Sequence, residues 1–166
     1  MQYNMNVGTR IAGGTTQTGL TKWCYNNDEN NCTTYGGLYQ WNTAMQYSAT
    51  EGAQGICPTG FHIPTDAQYT TLTDYLGGLT VAGDKMKSAG LCQSRTPCGT
   101  SGFNALLGGS NGGGSWSNLG SNGYFWSSSQ NAASYAWGRY LDLANAQVNR
   151  SLYDKSFGFS VRCLKN

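Results

Sequence analysis

Gly55-Ile56-Cys57-Pro58-Thr59-Gly60-Phe61-His62-Ile63-Pro64 and, far downstream, Gly158-Phe159-Ser160-Val161-Arg162-Cys163 are the two stretches whose reading decides the fold. The first is a Cys-Pro-x-Gly turn that opens toward a helix. The second is an apolar strand ending in a cysteine. Together they read as the two ends of one long disulfide. On the chain-entropy account, closing a loop of about 100 residues stabilises by roughly 4.7 kcal/mol. Such a bridge places everything between its ends on one scaffold.

The other four cysteines pair by proximity. Cys24 and Cys32 bracket a polar run, and so do Cys92 and Cys98. Six cysteines allow 15 connectivities, so this assignment rests on spacing alone. No Cys-x2-Cys pair is present and there is one histidine, which disfavours a zinc site. An even cysteine count without metal spacing points to an oxidising compartment, hence a secreted or cell-surface protein.

Composition agrees. Of 166 residues only 11% are charged, against a usual share of about 25%. Glycine is abundant, at 24 residues. The five Trp, eleven Tyr and five Phe carry more apolar surface than a disordered chain does. The length suits one domain over residues 1–166, able to bury about 70% of its unfolded surface. A net charge of +2 with scattered Lys and Arg disfavours a nucleic-acid partner. No apolar run approaches the roughly 18 residues of a membrane span. The opening Met1-Gln2-Tyr3-Asn4 starts abruptly, and an export or anchoring segment is expected outside this sequence.

Periodicity predicts helices first and strands afterwards, an α+β arrangement. Leu38, Trp41 and Met45 have helical spacing, which predicts a helix over Tyr35 to Tyr47. Thr65 with Gln68 forms a capping box before Tyr69, Leu72 and Leu76, and Gly77-Gly78 ends that helix. A short helix is expected around Val81 to Ser88. Gly108 to Gly114 reads as a flexible loop. Tyr124 to Ser129 reads as a buried strand, and further strands are expected from Trp137, from Val148 and over Phe157 to Leu164. In the strand from Trp137, Arg139 and Leu141 share one face while Gly138, Tyr140 and Asp142 share the other.

Cys32-Thr33-Thr34-Tyr35-Gly36-Gly37-Leu38-Tyr39-Gln40-Trp41, Gly55 to Thr65, Ser101 to Leu106, Tyr124 to Ser128 and Lys155 to Cys163 resemble, in order, the Fibrobacter succinogenes major paralogous domain family. The resemblance implies a C-type lectin-like fold close to the formylglycine-generating enzymes: two main helices, a small antiparallel sheet and long Gly/Ser/Asn-rich loops. It implies a secreted or surface-displayed domain, in some members attached to a pilin-like anchor. Some members are variable proteins of diversity-generating retroelements, in which adenine-directed mutagenesis diversifies C-terminal codons. Asn131, Asn145, Asn149, Ser134, Tyr135, Tyr140 and Asp142 are residue types that such codons yield. An ordinary polar surface has the same composition.

Chemistry is sparse. His62 reads as a packing residue beside the Cys57-Pro58 turn. Eight acidic residues offer no evident carboxylate pair for glycoside hydrolysis. Every cysteine has a disulfide partner, leaving no nucleophile for oxidase chemistry, so no enzymatic activity is expected. The calcium motifs of sugar-binding lectins are missing, and Asp28 and Glu29 read as a solvated turn. No metal and no cofactor are expected.

Binding is the better reading. Tyr and Trp give rigid contact area, while Ser, Gly and Asn adapt their hydrogen bonds. Gly138, Tyr140, Asp142, Asn145, Gln147, Asn149, Ser151 and Tyr153 are the candidate ligand-binding residues, alternating with core positions Arg139, Leu141, Val148 and Arg150. Tyr140 and Tyr153 are the expected anchors, and Arg139 and Arg150 the expected supports through loop carbonyls. The partner is a protein or glycan on another cell or surface. A structural, adhesive or pilin-head domain without a dedicated ligand, and an aromatic-platform carbohydrate binder, are the alternatives.

Overall fold

A computed structural model describes residues 3–166. It is α+β, with short helices and a five-stranded sheet in the order β5-β4-β6-β7-β8. These strands are β4 (Gly108–Gly112), β5 (Ser115–Leu119), β6 (Asn122–Gln130), β7 (Tyr135–Asp142) and β8 (Val148–Asp154). All neighbours are antiparallel except β4 and β6, which run parallel. Before the sheet come β1 (Thr9–Arg10), β2 (Thr21–Lys22), α1 (Glu29–Tyr35), α2 (Trp41–Ala44), β3 (Phe61–His62), α3 (Asp66–Tyr75) and α4 (Ala82–Met86). The last strand, β9 (Leu164–Lys165), pairs with β3.

Alternation along β6 sends adjacent residues to opposite sides of the sheet. Trp126 enters a core with Tyr39, Trp41, Met45, Ile63, Phe159 and Val161. Phe125 enters a second core with Tyr69, Met86, Leu107, Leu141 and Val148, roofed by α3 and α4. The chain therefore has two cores, one on each side of a single sheet.

Of the helix expected over Tyr35 to Tyr47, only the four-residue α2 (Trp41–Ala44) forms. Before it, α1 ends at Tyr35 because Gly36 turns the chain at φ 86°, where its missing Cβ would lie 2.5 Å from Asn4 Cβ. Leu38 then pairs with Trp23, and Tyr39 with Phe159, as isolated bridges. Leu38, Trp41 and Met45 are all buried, so their spacing reported burial rather than a helix. The capping-box helix forms as read. The Thr65 hydroxyl accepts from Gln68 N, and Gln68 Oε1 accepts from Thr65 N. The supposed flexible loop Gly108 to Gly114 is instead the β4 strand with the first part of its hairpin turn, and Gly108 to Asn111 are buried. Runs of glycine hid a strand whose hydrogen bonds, rather than side chains, hold it. The strand expected over Phe157 to Leu164 is broken into bridges to Asn111, Tyr39 and Phe125.

One ion cluster ties α3 to the sheet. Arg139, fully buried, donates to Asp66 Oδ1 at 2.6 Å, and Arg150 donates to Asp66 Oδ2 at 2.8 Å. Burial alone would raise the Asp66 carboxyl, but the Arg150 and Arg139 hydrogen bonds outweigh it and hold the carboxyl below its ordinary value. These arginines were expected to bond loop carbonyls; their principal partner is the carboxylate that opens α3, and Arg139 reaches the Asp66 carbonyl besides. The Arg150 guanidinium also lies 3.6 Å from the Trp137 ring centroid, a cation–π contact.

Disulfides join Cys24 to Cys32, Cys57 to Cys163 and Cys92 to Cys98. Among the described residues no helix is long and apolar enough to cross a membrane. The three bridges fit an oxidising compartment.

The Cys57–Cys163 bridge spans 106 residues and the Cys92–Cys98 bridge spans 6. Loop entropy gives about 4.7 kcal/mol for the first and about 2 kcal/mol for the second. Replacing Cys57 and Cys163 by Ala should therefore lower stability in urea unfolding by more than twice the loss for Cys92 and Cys98; equal losses would contradict this. Asp66→Asn should cost on the order of 3 kcal/mol at pH 7, because it strands the buried Arg139 cation. A depressed folded pKa contributes stability above the unfolded value near 3.8 and loses it as pH falls through the folded value. Unfolding measured between pH 4 and pH 2 should then show a shallower acid loss in the Asn variant than in the parent.

Candidate functional site

The register of β6, β7 and β8 builds the site in rows. Tyr124 pairs with Tyr140, and Tyr140 with Asn149. Trp126 pairs with Gly138, and Gly138 with Ser151. Ala136 pairs with Tyr153. Paired residues share a face. The sheet therefore carries Tyr124, Tyr140, Asn149, Ser151 and Tyr153 on one side, opposite α3.

Below them lies an aromatic bed. Phe159 stacks on Tyr124 at 5.0 Å between ring centroids and sits 4.4 Å from Trp126. Tyr153 meets Phe159 edge-on at 4.9 Å and Trp126 at 6.4 Å. Tyr140 leans on Tyr124 at 5.4 Å. The tyrosines are half-buried, and Phe157 lies exposed beside them. Asn118 Nδ2 donates to the Tyr124 hydroxyl at 3.0 Å. Burial raises the Tyr153 phenol well above its ordinary value, with Tyr124 and Tyr140 adding to it. Burial likewise raises Tyr124. Tyr153 and Tyr124 are thus neutral hydrogen-bonding groups at physiological pH. Among the described residues the Tyr140 and Tyr153 hydroxyls have no hydrogen-bond partner.

The eight candidate residues divide. Tyr140, Asn149 and Ser151 stand on the face as surface groups. Asp142 shares it but is engaged in the turn, where Oδ1 accepts from Ala144 N at 2.7 Å. Gly138 is buried and contributes shape. A Cβ there would lie 3.0 Å from the Tyr153 ring, so glycine lets that ring lie across the sheet. Tyr153 was expected to project into solvent; it is instead half sunk into the aromatic bed, because Gly138 leaves room beneath it. Asn145 and Gln147 do not join the face. They sit in the β7–β8 turn, where Asn145 Oδ1 accepts from Gln147 N and Asn145 O accepts from Lys87 Nζ. That turn packs against α4 through Gly83 N to Ala146 O at 2.8 Å.

Tyr124, Asn118 and Phe157 belong to the face and were not read as site residues. Tyr124 was legible in principle, since it alternates with buried Phe125. Asn118 and Phe157 arrive from β5 and the chain after β8, and no local pattern announces them.

His62 bridges elements. Nδ1 lies 2.6 Å from Asn166 Oδ1 and Nε2 lies 3.0 Å from Gln68 Oε1, joining β3, the C-terminus and α3. Among the described residues, Cys24, Glu29 and Cys32 are the grouping with metal-ligand atoms close together. Its sulfurs are bonded to each other, so they are not thiolate ligands.

A family model described as the Fibrobacter succinogenes major domain matches residues 1–165. The chain belongs to this family. No curated protein and no solved structure matches it. Within this Fibrobacter succinogenes major domain, the matched span includes both ends of the long disulfide and every residue of the tyrosine face.

The packing separates anchors from supports. Tyr153→Ala empties a seat between Trp126, Tyr124 and Phe159 and should cost on the order of 3 kcal/mol. Tyr140→Ala loses one ring contact and should cost about 1 kcal/mol. Asn149→Ala should stay within about 0.5 kcal/mol. Chemical denaturation of the three variants checks the order, and a Tyr153 variant as stable as the parent would refute the seating.

Proposed function

We propose that this chain is a non-enzymatic, secreted or surface-displayed binding domain whose ligand seats on the tyrosine face of the sheet. One observation carries the reading: two tyrosine hydroxyls, those of Tyr140 and Tyr153, stand without partners among the described residues, above rings that are already packed. Rigid aromatics on a preformed bed lose little side-chain entropy when covered. Their free hydroxyls supply direction, and Asn149 and Ser151 at the neighbouring row positions supply adaptable hydrogen bonds. Tyrosines in such settings dominate the energetics of protein interfaces.

The scaffold reading is C-type lectin-like, supported by the sequence resemblance and by the α+β arrangement of short helices beside a small sheet. On that scaffold Tyr140, Asn149 and Ser151 occupy strand positions whose side chains are not needed by either core. They are therefore free to vary, as retroelement diversification of the C-terminal codons would require. A near-copy of the 3′ coding region differing at adenines, beside a reverse-transcriptase gene, supports diversification; a locus with neither removes it.

A partner on another cell or surface, protein or glycan, is the ligand class. The protein and its Tyr140→Ala/Asn149→Ala variant should be compared on panels of extracellular proteins and glycans. Authentic ligands should bind the variant at least about tenfold more weakly, since two contacts near the centre are worth 1.4 kcal/mol or more. The variant should unfold within a few degrees of the parent. Ligands held equally by both proteins place the site elsewhere, and a domain that holds none is a structural or adhesive head.

A further inference from the structure

Near the start of the chain three side chains lie in the geometry of a covalent reaction. Lys22, on β2, is 6% exposed, and its Nζ donates to Asn6 Oδ1 at 2.6 Å and to Glu29 Oε1 at 2.9 Å. An amine, a primary amide and a carboxylate in contact are the full set for amide exchange: a nucleophile, an electrophilic carbonyl and a group that moves protons. Since a carbonyl bond is about 1.23 Å long, Nζ lies within about 3.8 Å of Asn6 Cγ. Reacting atoms held ready for attack stand about 3–3.5 Å apart. The last torsion of an asparagine is broad, so a turn of the amide brings Cγ under Nζ. Among the described residues the other two buried lysines lack this set. Lys87 meets the Asp84 carboxylate and a backbone carbonyl, and Lys155 meets the Gln130 amide and a backbone carbonyl without a carboxylate.

Each partner is held from a different direction. Parallel pairing with Arg10 of β1 fixes Lys22. The Asp28 cap and the Cys24–Cys32 bridge hold Glu29, in the first turn of α1, beside β2. On either side of Asn6, Met5 bonds to Val161 and Gly37, and Val7 exchanges two bonds with the Tyr39 hydroxyl. Arg10 Nε lies 3.2 Å from Glu29 Oε2 and leaves Oε1 to Lys22. Asn6 itself is exposed, so its amide nitrogen has a way out to solvent.

We propose that Lys22 and Asn6 join through a side-chain amide bond, with Glu29 carrying the protons. Nζ adds to Asn6 Cγ, the Cγ–Nδ2 bond breaks, and the nitrogen leaves as ammonium. Two protons leave the Lys22 ammonium and both end on the departing nitrogen, relayed by the Glu29 carboxylate. Atoms and charge balance, and no oxidant or reductant takes part. The product ties the segment before β1 to β2 by a bond that reduction does not open. It shares no residue with the tyrosine face, and neither reading depends on the other.

Mass spectrometry of the folded protein tests this. The chain should be lighter by one ammonia than its disulfide-bonded sequence, and digestion should release one branched peptide in which Asn6 is joined to Lys22. Mapping separates this bond from ammonia lost at the Asn111-Gly112 or Asn122-Gly123 steps. Asn6→Ala and Lys22→Arg should keep the full mass, and Asn6→Ala, at an exposed position, should fold like the parent. Glu29→Gln should form the bond at least about tenfold more slowly after refolding, the least that losing a proton carrier costs. Linear, unmodified Asn6 and Lys22 peptides from the folded parent after prolonged incubation would overturn the proposal and leave a salt bridge only. A Glu29→Gln variant that forms the bond as fast as the parent would overturn the part given to the carboxylate.

Discussion

Everything in this fold leans on residues 158–163. The segment is buried, so each of its peptide groups needs a protein partner. Those partners come from five different places. Gly158 exchanges both backbone bonds with Asn111, and Phe159 exchanges both with Tyr39. Ser160 accepts from Trp126 N and donates to Tyr124 O, and Val161 accepts from Met5 N. Cys163 then closes the disulfide to Cys57. A regular strand would satisfy two neighbours; this one pins the N-terminal segment, the α1–α2 connection, β4, β6 and the Cys57 turn together. Phe159, carried by the same segment, is the ring on which the tyrosine face rests.

The two sides of the sheet are chemically unlike because different parts of the chain cover them. On the helical side, buried Arg139 and half-exposed Arg150 converge on Asp66, and Lys87 and Arg95 converge on Asp84. In each cluster the carboxylate accepts from two cations, so a buried charge is matched rather than stranded. These clusters fix how α3 and α4 sit on the strands. On the other side the short α2 packs into the core through Trp41 and Ala44, and the rows of Tyr124, Tyr140 and Tyr153 stay half-buried. Packing there is aromatic on aromatic and stops at half burial, which leaves hydroxyls at the surface. The division follows from alternation: the strands that anchor helices on one side present half-buried tyrosines on the other.

Legibility varied with the range of the interaction. The α3 helix was readable because Thr65 and Gln68 satisfy each other's backbone groups within one turn. The segment from Tyr35 to Tyr47 misled because Leu38, Trp41 and Met45 are buried by Trp23, Phe159 and the rest of the core, and burial by distant residues mimics a helical stripe. β4 was invisible because Gly108, Gly109 and Gly112 carry no side chain to show a pattern; their strand exists through backbone pairing with β5 and β6. At the site, strand alternation placed Tyr140, Asn149 and Ser151 correctly on one face. It could not show that Asn145 and Gln147 leave that face in the turn, or that Tyr153 sinks beside Gly138.

What the sequence determined by itself was local or compositional. The cysteine spacings, the low charge, the capping box and the two-residue alternation of β7 and β8 each act over a few positions, so they survive without knowledge of partners. Tertiary structure alone decided which aromatics are bed and which are surface. It also decided which carboxylate meets Arg139, and that Lys22 meets Asn6 and Glu29. The physical reason is that burial and hydrogen-bond satisfaction belong to neighbours across space. Tyr124 and Tyr153 look alike in sequence, and Phe159, reached only through the fold, gives each its place.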